Sequence, residues 1–258
     1  MNASLIEILD KFLVVIWPML RLSAFLAFTS IFSIRAVNMR IRMSLGFAMA
    51  FFVSQQIEIP KIDPVTADGL MEISRQILIG LTMGLVFQVA SAALVVAGQA
   101  MSGSMGLSMA NMVDPNMGSV PVISQLMIVM STLIFVGFGG HAILLGLISE
   151  SFNSLPIGTS ILNQDVYGRV LKWSSMVFLG AVLLALPVMV SLLFINIGLG
   201  VVTRAAPSLN IFAVGFPAMI MAGFLILIIS MESIGARIEW LWVQGFTVVR
   251  DVLGVPNV

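Results

Sequence analysis

GQAMSGSMGLSMANMVDPNMGSVP, residues 98–121, is the stretch on which the reading of this chain turns. Long apolar segments flank it on both sides. It holds one formal charge, Asp114, and five methionines, Met101, Met105, Met109, Met112 and Met117. Gly and Ser interrupt it too often for a membrane helix, yet an ordinary solvated loop would be more polar. Small, flexible, Met-rich sequence suits a crowded and poorly hydrated place. At membrane depth, irregular backbone is tolerated only where protein covers it or where it lines a cavity. The stretch therefore reads as a loop inside a protein-lined pore, closing it.

The rest of the chain agrees with a membrane setting. Of its 258 residues, 59% are hydrophobic and only 9% charged, against about 25% charged in soluble globular chains. Such a chain cannot cover itself with a polar surface, so lipid or partner proteins must cover it. Basic and acidic residues balance at 12 each, which leaves no basic footprint for nucleic acid. The absence of cysteine removes disulfides and thiolate metal sites, and one histidine cannot build a His-based metal cluster. The first residues lack the basic n-region of a signal peptide, so the first apolar run reads as a retained membrane segment.

A spanning helix needs about 20 mainly apolar residues. Six runs qualify: 12–32, 43–59, 76–97, 122–148, 170–200 and 211–231. Pro18 should kink the first, and Arg21 within it should face protein or an interface. Arg35, Arg40 and Arg42 follow without an acid, which places that segment in the cytoplasm by the positive-inside rule. Residues 60–75 read as a polar loop on the opposite side. Gly80 and Gly84 form a GxxxG that suits close helix packing. Gly137, Gly139, Gly140 and Gly146 suggest a broken helix or a tight hairpin in the fourth run. Pro187 should kink the fifth run, where Asn196 needs a partner; Pro217 interrupts the sixth. Residues 232–258 read as an amphipathic helix at an interface or on a partner, with Trp240 and Trp242 as belt residues. The whole, 1–258, is one all-α, multi-pass membrane domain with kinked and broken helices.

Catalytic chemistry is missing from the pattern. Residues 137–142 formally match a dinucleotide-binding glycine motif, but they lie in a membrane run without the strand and acidic partner that motif requires. No nucleophile elbow, zinc motif, phosphate-binding loop or paired carboxylates stand out, so the chain reads as a non-enzyme with no cofactor. His141 reads as a satisfied packing or hydrogen-bonding residue. Asp114 has two readings: a functional acid at membrane depth, or local turn chemistry in Asp114-Pro115-Asn116. A small-molecule transporter with broken helices is the alternative class; sparse intramembrane charge and no repeat between the halves weigh against it.

Three stretches carry a family resemblance. GGHAILLGLISESFNSLPIG, ending at Gly158, and LGVVTRAAPSLNIFAVGFP, starting at Leu199, resemble the bacterial flagellar FliR family, whose injectisome counterpart is the SctT or SpaR family. The spacing of Gln99, Gly106, Asp114 and Pro115 fits the same family. The resemblance covers nearly the whole chain.

It implies an inner-membrane subunit of the flagellar type III export gate, in the flagellar basal body, with FliP-like and FliQ-like partners and associated FlhB-like and FlhA-like proteins. Exported flagellar proteins would pass its pore unfolded, and membrane lipid would surround it. It also implies a FliP-like part over 1–165, then a FliQ-like hairpin and C-terminal tail over 166–258. The family's plug loop falls here on Gly106, Leu107, Ser108, Met109, Asn111, Met112, Asp114 and Pro115, with Gly103, Gly106 and Gly118 as candidate hinges. Family members often have aromatic residues where this chain has Leu107 and Met109. Alternation of six spans puts residues 98–121 on the side of the basic cluster, whereas the resemblance puts the loop inside the pore. A re-entrant loop, or fewer spans, reconciles the two.

Overall fold

A computed structural model describes residues 2–29, 38–60, 62–107, 121–158, 164–205 and 211–255. Among these residues there are nine helices and no strand: α1 Asn2–Phe28, α2 Met39–Ser54, α3 Ala67–Ser104, α4 Val122–Gly137, α5 Gly140–Ser154, α6 Gln164–Ser174, α7 Met176–Ala205, α8 Ile211–Ile229 and α9 Met231–Leu253. The expected all-α, broken-helix architecture is what the chain adopts.

The longest helix corrects the sequence reading at both of its ends. Residues 67–75 are helical because Thr66 caps α3: its hydroxyl accepts the Gly69 N–H at 3.2 Å. The Asp63 carboxylate accepts the Val65 N–H at 3.0 Å and shapes the turn before it. Asp68 in the first turn then complements the helix dipole. At the other end, Gly98 to Ser104 continue the helix instead of opening the loop. Thirty-eight residues rise about 57 Å at 1.5 Å each, nearly twice the hydrocarbon thickness of a bilayer.

Breaks reduce the count of spans. Among the described residues, two stretches are long and apolar enough to cross a membrane, Ala67–Ser104 and Asp165–Ala205. The count rises to four if each bent helix pair is one span. The fourth apolar run is indeed broken, by Gly139 at φ +76° between α4 and α5. The α8 and α9 helices meet at a 62° bend. Pro187 lies within α7. A proline has no N–H to offer the carbonyl four residues back. That orphaned carbonyl belongs to Leu183, and the Arg237 guanidinium on α9 donates to it at 2.7 Å.

Helix contacts divide the chain into two compact units. The first comprises Met1–Val89, Gly139–Ser174 and Gln244–Val258. Its core stacks Phe25 on Phe87 and Phe87 on Phe246, edge to face at 6.1 and 5.3 Å. Gly80 and Gly84 face α1 so closely that a Cβ on Gly80 would collide with the Arg21 carbonyl, and one on Gly84 would lie 3.0 Å from the Phe28 Cβ. The buried Trp173 indole donates to the Val86 carbonyl at 2.9 Å.

The second unit comprises Ala90–Phe138 and Ser175–Val243. Here α3 and α4 meet at Gly98, where any side chain would run into the Ser124 backbone. The Ser124 hydroxyl donates to the Val95 carbonyl at 3.0 Å. Trp242 is core rather than belt: it is buried, packs on Phe135 at 5.0 Å, and donates to the Ser131 hydroxyl at 2.8 Å. Trp240 is exposed. The tail helix α9 is amphipathic, but its apolar face, including Ile234, Ile238 and Leu241, is buried by this chain itself.

Candidate functional site

The loop begins where α3 stops, and the stop is built into the backbone. Gly106 takes φ +80°, a left-handed conformation that glycine adopts without the Cβ penalty. Its N–H donates to the Gly103 carbonyl at 3.0 Å, and the Leu107 N–H reaches back to Ser102 at 3.1 Å. This pair of bonds is the Schellman motif, which satisfies the last helix carbonyls and turns the chain aside. A Cβ on Gly106 would also press on the Phe216 ring at 3.1 Å. The turn is therefore held from outside by an aromatic side chain of α8.

Two of the loop's methionines are anchors. Met101 and Met105 are fully buried. The Met105 side chain lies over Gly223 of α8, filling the space that a Cβ there would occupy. The flexible thioether fits this gap against a bare backbone. Gly103, in the last turn of α3, faces open space, with no heavy atom within 4 Å of where its Cβ would be. Of the other expected site residues, Leu107 is half-buried at the turn. Ser108, Met109, Asn111, Met112, Asp114, Pro115 and Gly118 lie outside the described residues. So do Arg35 of the basic cluster and the turn around Pro207.

A second constellation, which the sequence only half announced, lies near the start of α3. Arg21 is buried against protein, as a charge in an apolar run requires. Its Nε donates to Gln76 Oε1 at 2.8 Å; one terminal nitrogen donates to the Ser151 carbonyl and hydroxyl at 2.7 and 3.0 Å; the other donates to the Leu155 carbonyl at 2.7 Å. The guanidinium also stacks 4.1 Å from the Phe152 ring centre. Gln76 Nε2 donates to Glu72 Oε1 at 2.6 Å, and the same oxygen accepts the Gly158 N–H at 3.0 Å. The Gln76 amide is thereby aligned between a cation and an anion. Glu72 and Gln76, four apart on one helical face, were the available signal; Ser151 and Gly158 had none. His141 is exposed rather than packed. Among the described residues no cluster of acids and histidine suited to a metal ion is found.

An apolar groove of about 490 Å³ opens on the second unit, lined by Val96 and Ala100 of α3, Met219 of α8 and a row of α7 side chains from Phe178 to Asn196. Phe178 and Phe194 on α7 remain 72% and 69% exposed. Aromatic exposure on this scale marks a surface meant for lipid or protein.

Comparison with known proteins assigns these features to a family. The family model described as bacterial export proteins, family 1, matches residues 12–244. The chain belongs to this family. It is 33% identical to the flagellar biosynthetic protein FliR of Escherichia coli K12 over 238 residues, covering 92% of this chain and 91% of that one. Identity to the FliR of Bacillus subtilis is 29% over 259 residues, 99% of either chain. The Yop proteins translocation protein T of Yersinia pestis is 28% identical over 165 residues, 62% of each. Matches of this extent span both units, the helix stop at Gly106 and the Arg21 network alike. They identify the chain as a membrane-embedded component of a bacterial export apparatus.

Proposed function

We propose that this chain is a non-enzymatic subunit of the flagellar type III export gate in the bacterial inner (cytoplasmic) membrane, where it helps form and close the pore for unfolded substrates. Family membership over 12–244 carries the reading. The flagellar relatives cover 92% and 99% of the chain against 62% for the Yop translocation protein, which favours the flagellum over the injectisome. Its partners in this reading are FliP-like and FliQ-like subunits in one hetero-oligomer, with FlhB-like and FlhA-like proteins beside it. Residues 1–165 correspond to the FliP-like part and 166–258 to the FliQ-like hairpin and tail. The exposed apolar face of α7 supports a chain that is covered by others.

Within the gate, the loop from Gly106 to Pro115 is the plug, and Gly103, Gly106 and Gly118 are its hinges. What supports this is the anchored helix stop: a buried Met105 and a Schellman turn fix where the loop departs. The test replaces residues 109–116 with a short Gly-Ser linker and reads ion conductance of cells, alongside co-purification of the partner subunits. Assembly retained with raised conductance is expected. Assembly retained with unchanged conductance makes the loop a connector and places the seal in another subunit.

A further inference from the structure

The short helix α2, Met39–Ser54, has a buried side and an exposed side of different chemistry. Gly46, Ala50 and Val53 recur at helical spacing and are buried. This side packs on α1: a Cβ on Gly46 would lie 3.5 Å from Leu26 Cδ1 and 3.9 Å from the Ser23 backbone. The exposed side carries Arg40, Ser44, Phe47 and Phe51, which stand at i, i+4, i+7 and i+11 and so form one stripe. Phe47 and Phe51 are 48% and 54% exposed. The Ser44 hydroxyl turns back to donate to the Arg40 carbonyl at 2.7 Å, which leaves the stripe one cation and two rings. Among the described residues the Arg40 guanidinium has no hydrogen bond or ion pair. Arg42, on the other side of the helix, is half-buried and has a contact of its own.

In a membrane-embedded chain, an exposed cation at the head of an apolar stripe calls for an anion joined to apolar surface. The dimensions say which. Sixteen residues rise about 24 Å, less than the ~30 Å hydrocarbon core, so α2 does not cross a bilayer by itself. Measured along the helix axis, Phe47 stands about 10 Å and Phe51 about 16 Å from Arg40. That reach is the depth of one leaflet's acyl layer, half of the core. The long arginine stem lets the guanidinium stay at headgroup level while the rings lie among the chains. A phospholipid carries the anion and the apolar chain in one molecule at this spacing. A net-negative headgroup brings no cation to compete with Arg40, and anionic leaflets attract basic side chains at their surface.

We propose that this stripe of α2 is a site for one anionic phospholipid of the bilayer: its phosphate pairs with Arg40, and an acyl chain lies along Phe47 and Phe51. The site needs only a membrane-embedded chain and stands apart from the pore. The test places the photoreactive residue p-benzoylphenylalanine at position 51 or, separately, at position 47 of the full chain. The complex co-purified with its partner subunits is reconstituted into vesicles of phosphatidylglycerol and phosphatidylethanolamine in equal parts and irradiated. Mass spectrometry then identifies what is joined to the probe. Both positions are exposed, so the probe displaces no core packing. Arg40→Gln removes the charge, and Arg40→Lys keeps it.

Lipid adducts at both positions are expected, with phosphatidylglycerol favoured about fivefold, the preference that one basic side chain gives at an anionic surface. The preference should fall to near parity with Arg40→Gln and persist with Arg40→Lys. Adducts to a protein chain in place of lipid overturn the site and make the stripe a subunit contact. Lipid adducts without headgroup preference, or with a preference that Arg40→Gln leaves unchanged, also overturn it and leave a plain lipid-facing helix. An absence of adducts at both positions in an assembled complex overturns it as well, because the stripe then lies away from the acyl chains.

Discussion

Two arginines do the same chemical job in the two units, and their surroundings set them apart. Arg21 in the first unit and Arg237 in the second each donate to backbone carbonyls that a helix cannot satisfy alone. Arg21 reaches the end of α5; Arg237 reaches Leu183, the carbonyl freed by Pro187. Arg21 is sealed in a network of side chains and stacked on Phe152. Arg237 is part-exposed, on the wall of a small crevice with Trp240 and Leu183. The first unit closes on itself through buried polar bonds. The second stitches its helices with small residues, Gly98 against Ser124 and Gly180 against Ala93, and leaves the α7 face uncovered. Both units also pack helices on small residues and leave aromatic rings exposed, Phe51 and Phe52 on α2 as well as Phe178 and Phe194 on α7. What distinguishes the first is a buried charged cluster, and what distinguishes the second is a cation that braces one proline-freed carbonyl.

Breaking the polar closure should have the larger effect. Gln76→Leu removes the amide that separates the two buried charges, leaving Arg21 Nε without its acceptor and Glu72 Oε1 with the Gly158 N–H alone. Lost hydrogen bonds to buried charged groups cost about 3 kcal/mol, so a clear fall in the thermal midpoint of the detergent-solubilised complex is expected. A midpoint within error of wild type would show that water enters the site and that the closure is looser than the geometry indicates.

The Arg237 bond should matter less, because its surroundings are wetter. Arg237→Met leaves the Leu183 carbonyl unpaired in a half-buried place, at about 1–2 kcal/mol. A double-mutant cycle sharpens the comparison. Pro187→Ala restores an N–H four residues after Leu183, so the cost of Arg237→Met should shrink in that background. Equal costs in both backgrounds would mean that Arg237 acts through packing of its stem and not through the orphaned carbonyl.

These contrasts also explain what the sequence disclosed. The membrane setting, the break at Gly139 and the protein-facing Arg21 were legible, because a glycine and a charge in an apolar run each force a local consequence. The ends of α3 were not. A Thr66 cap and an Asp68 first turn look like loop polarity until the helix is seen, and Gly98 reads as a breaker although it is the point where α4 comes closest. Single-sequence patterns report backbone freedom, and freedom is used equally for turning and for close approach. Trp242 misled for a related reason, since an amphipathic ring suits a membrane belt and a buried Ser131 partner equally well. The bond from Arg237 to Leu183 spans 54 residues and has no sequence signature. The family resemblance, resting on separated motifs, needed none of this detail and was the most reliable signal.

The smallest expected effect is the most telling about the loop. Gly103 lies in the last turn of α3 with φ in the ordinary helical range and nothing near its Cβ position. On the folded structure alone, Gly103→Ala should stabilise by about 0.5–1 kcal/mol, since glycine in a helix loses the most backbone freedom. As a hinge, the same residue would have to leave helical geometry when the loop moves, and alanine would resist that. The variant should therefore melt slightly higher and export less, measured as flagellar protein secreted per assembled complex. Higher stability with unchanged export would take Gly103 out of the hinge set. The motion would then fall to Gly106, whose backbone already stands at φ +80°, making the end of α3 a fixed post in the second unit from which the loop swings.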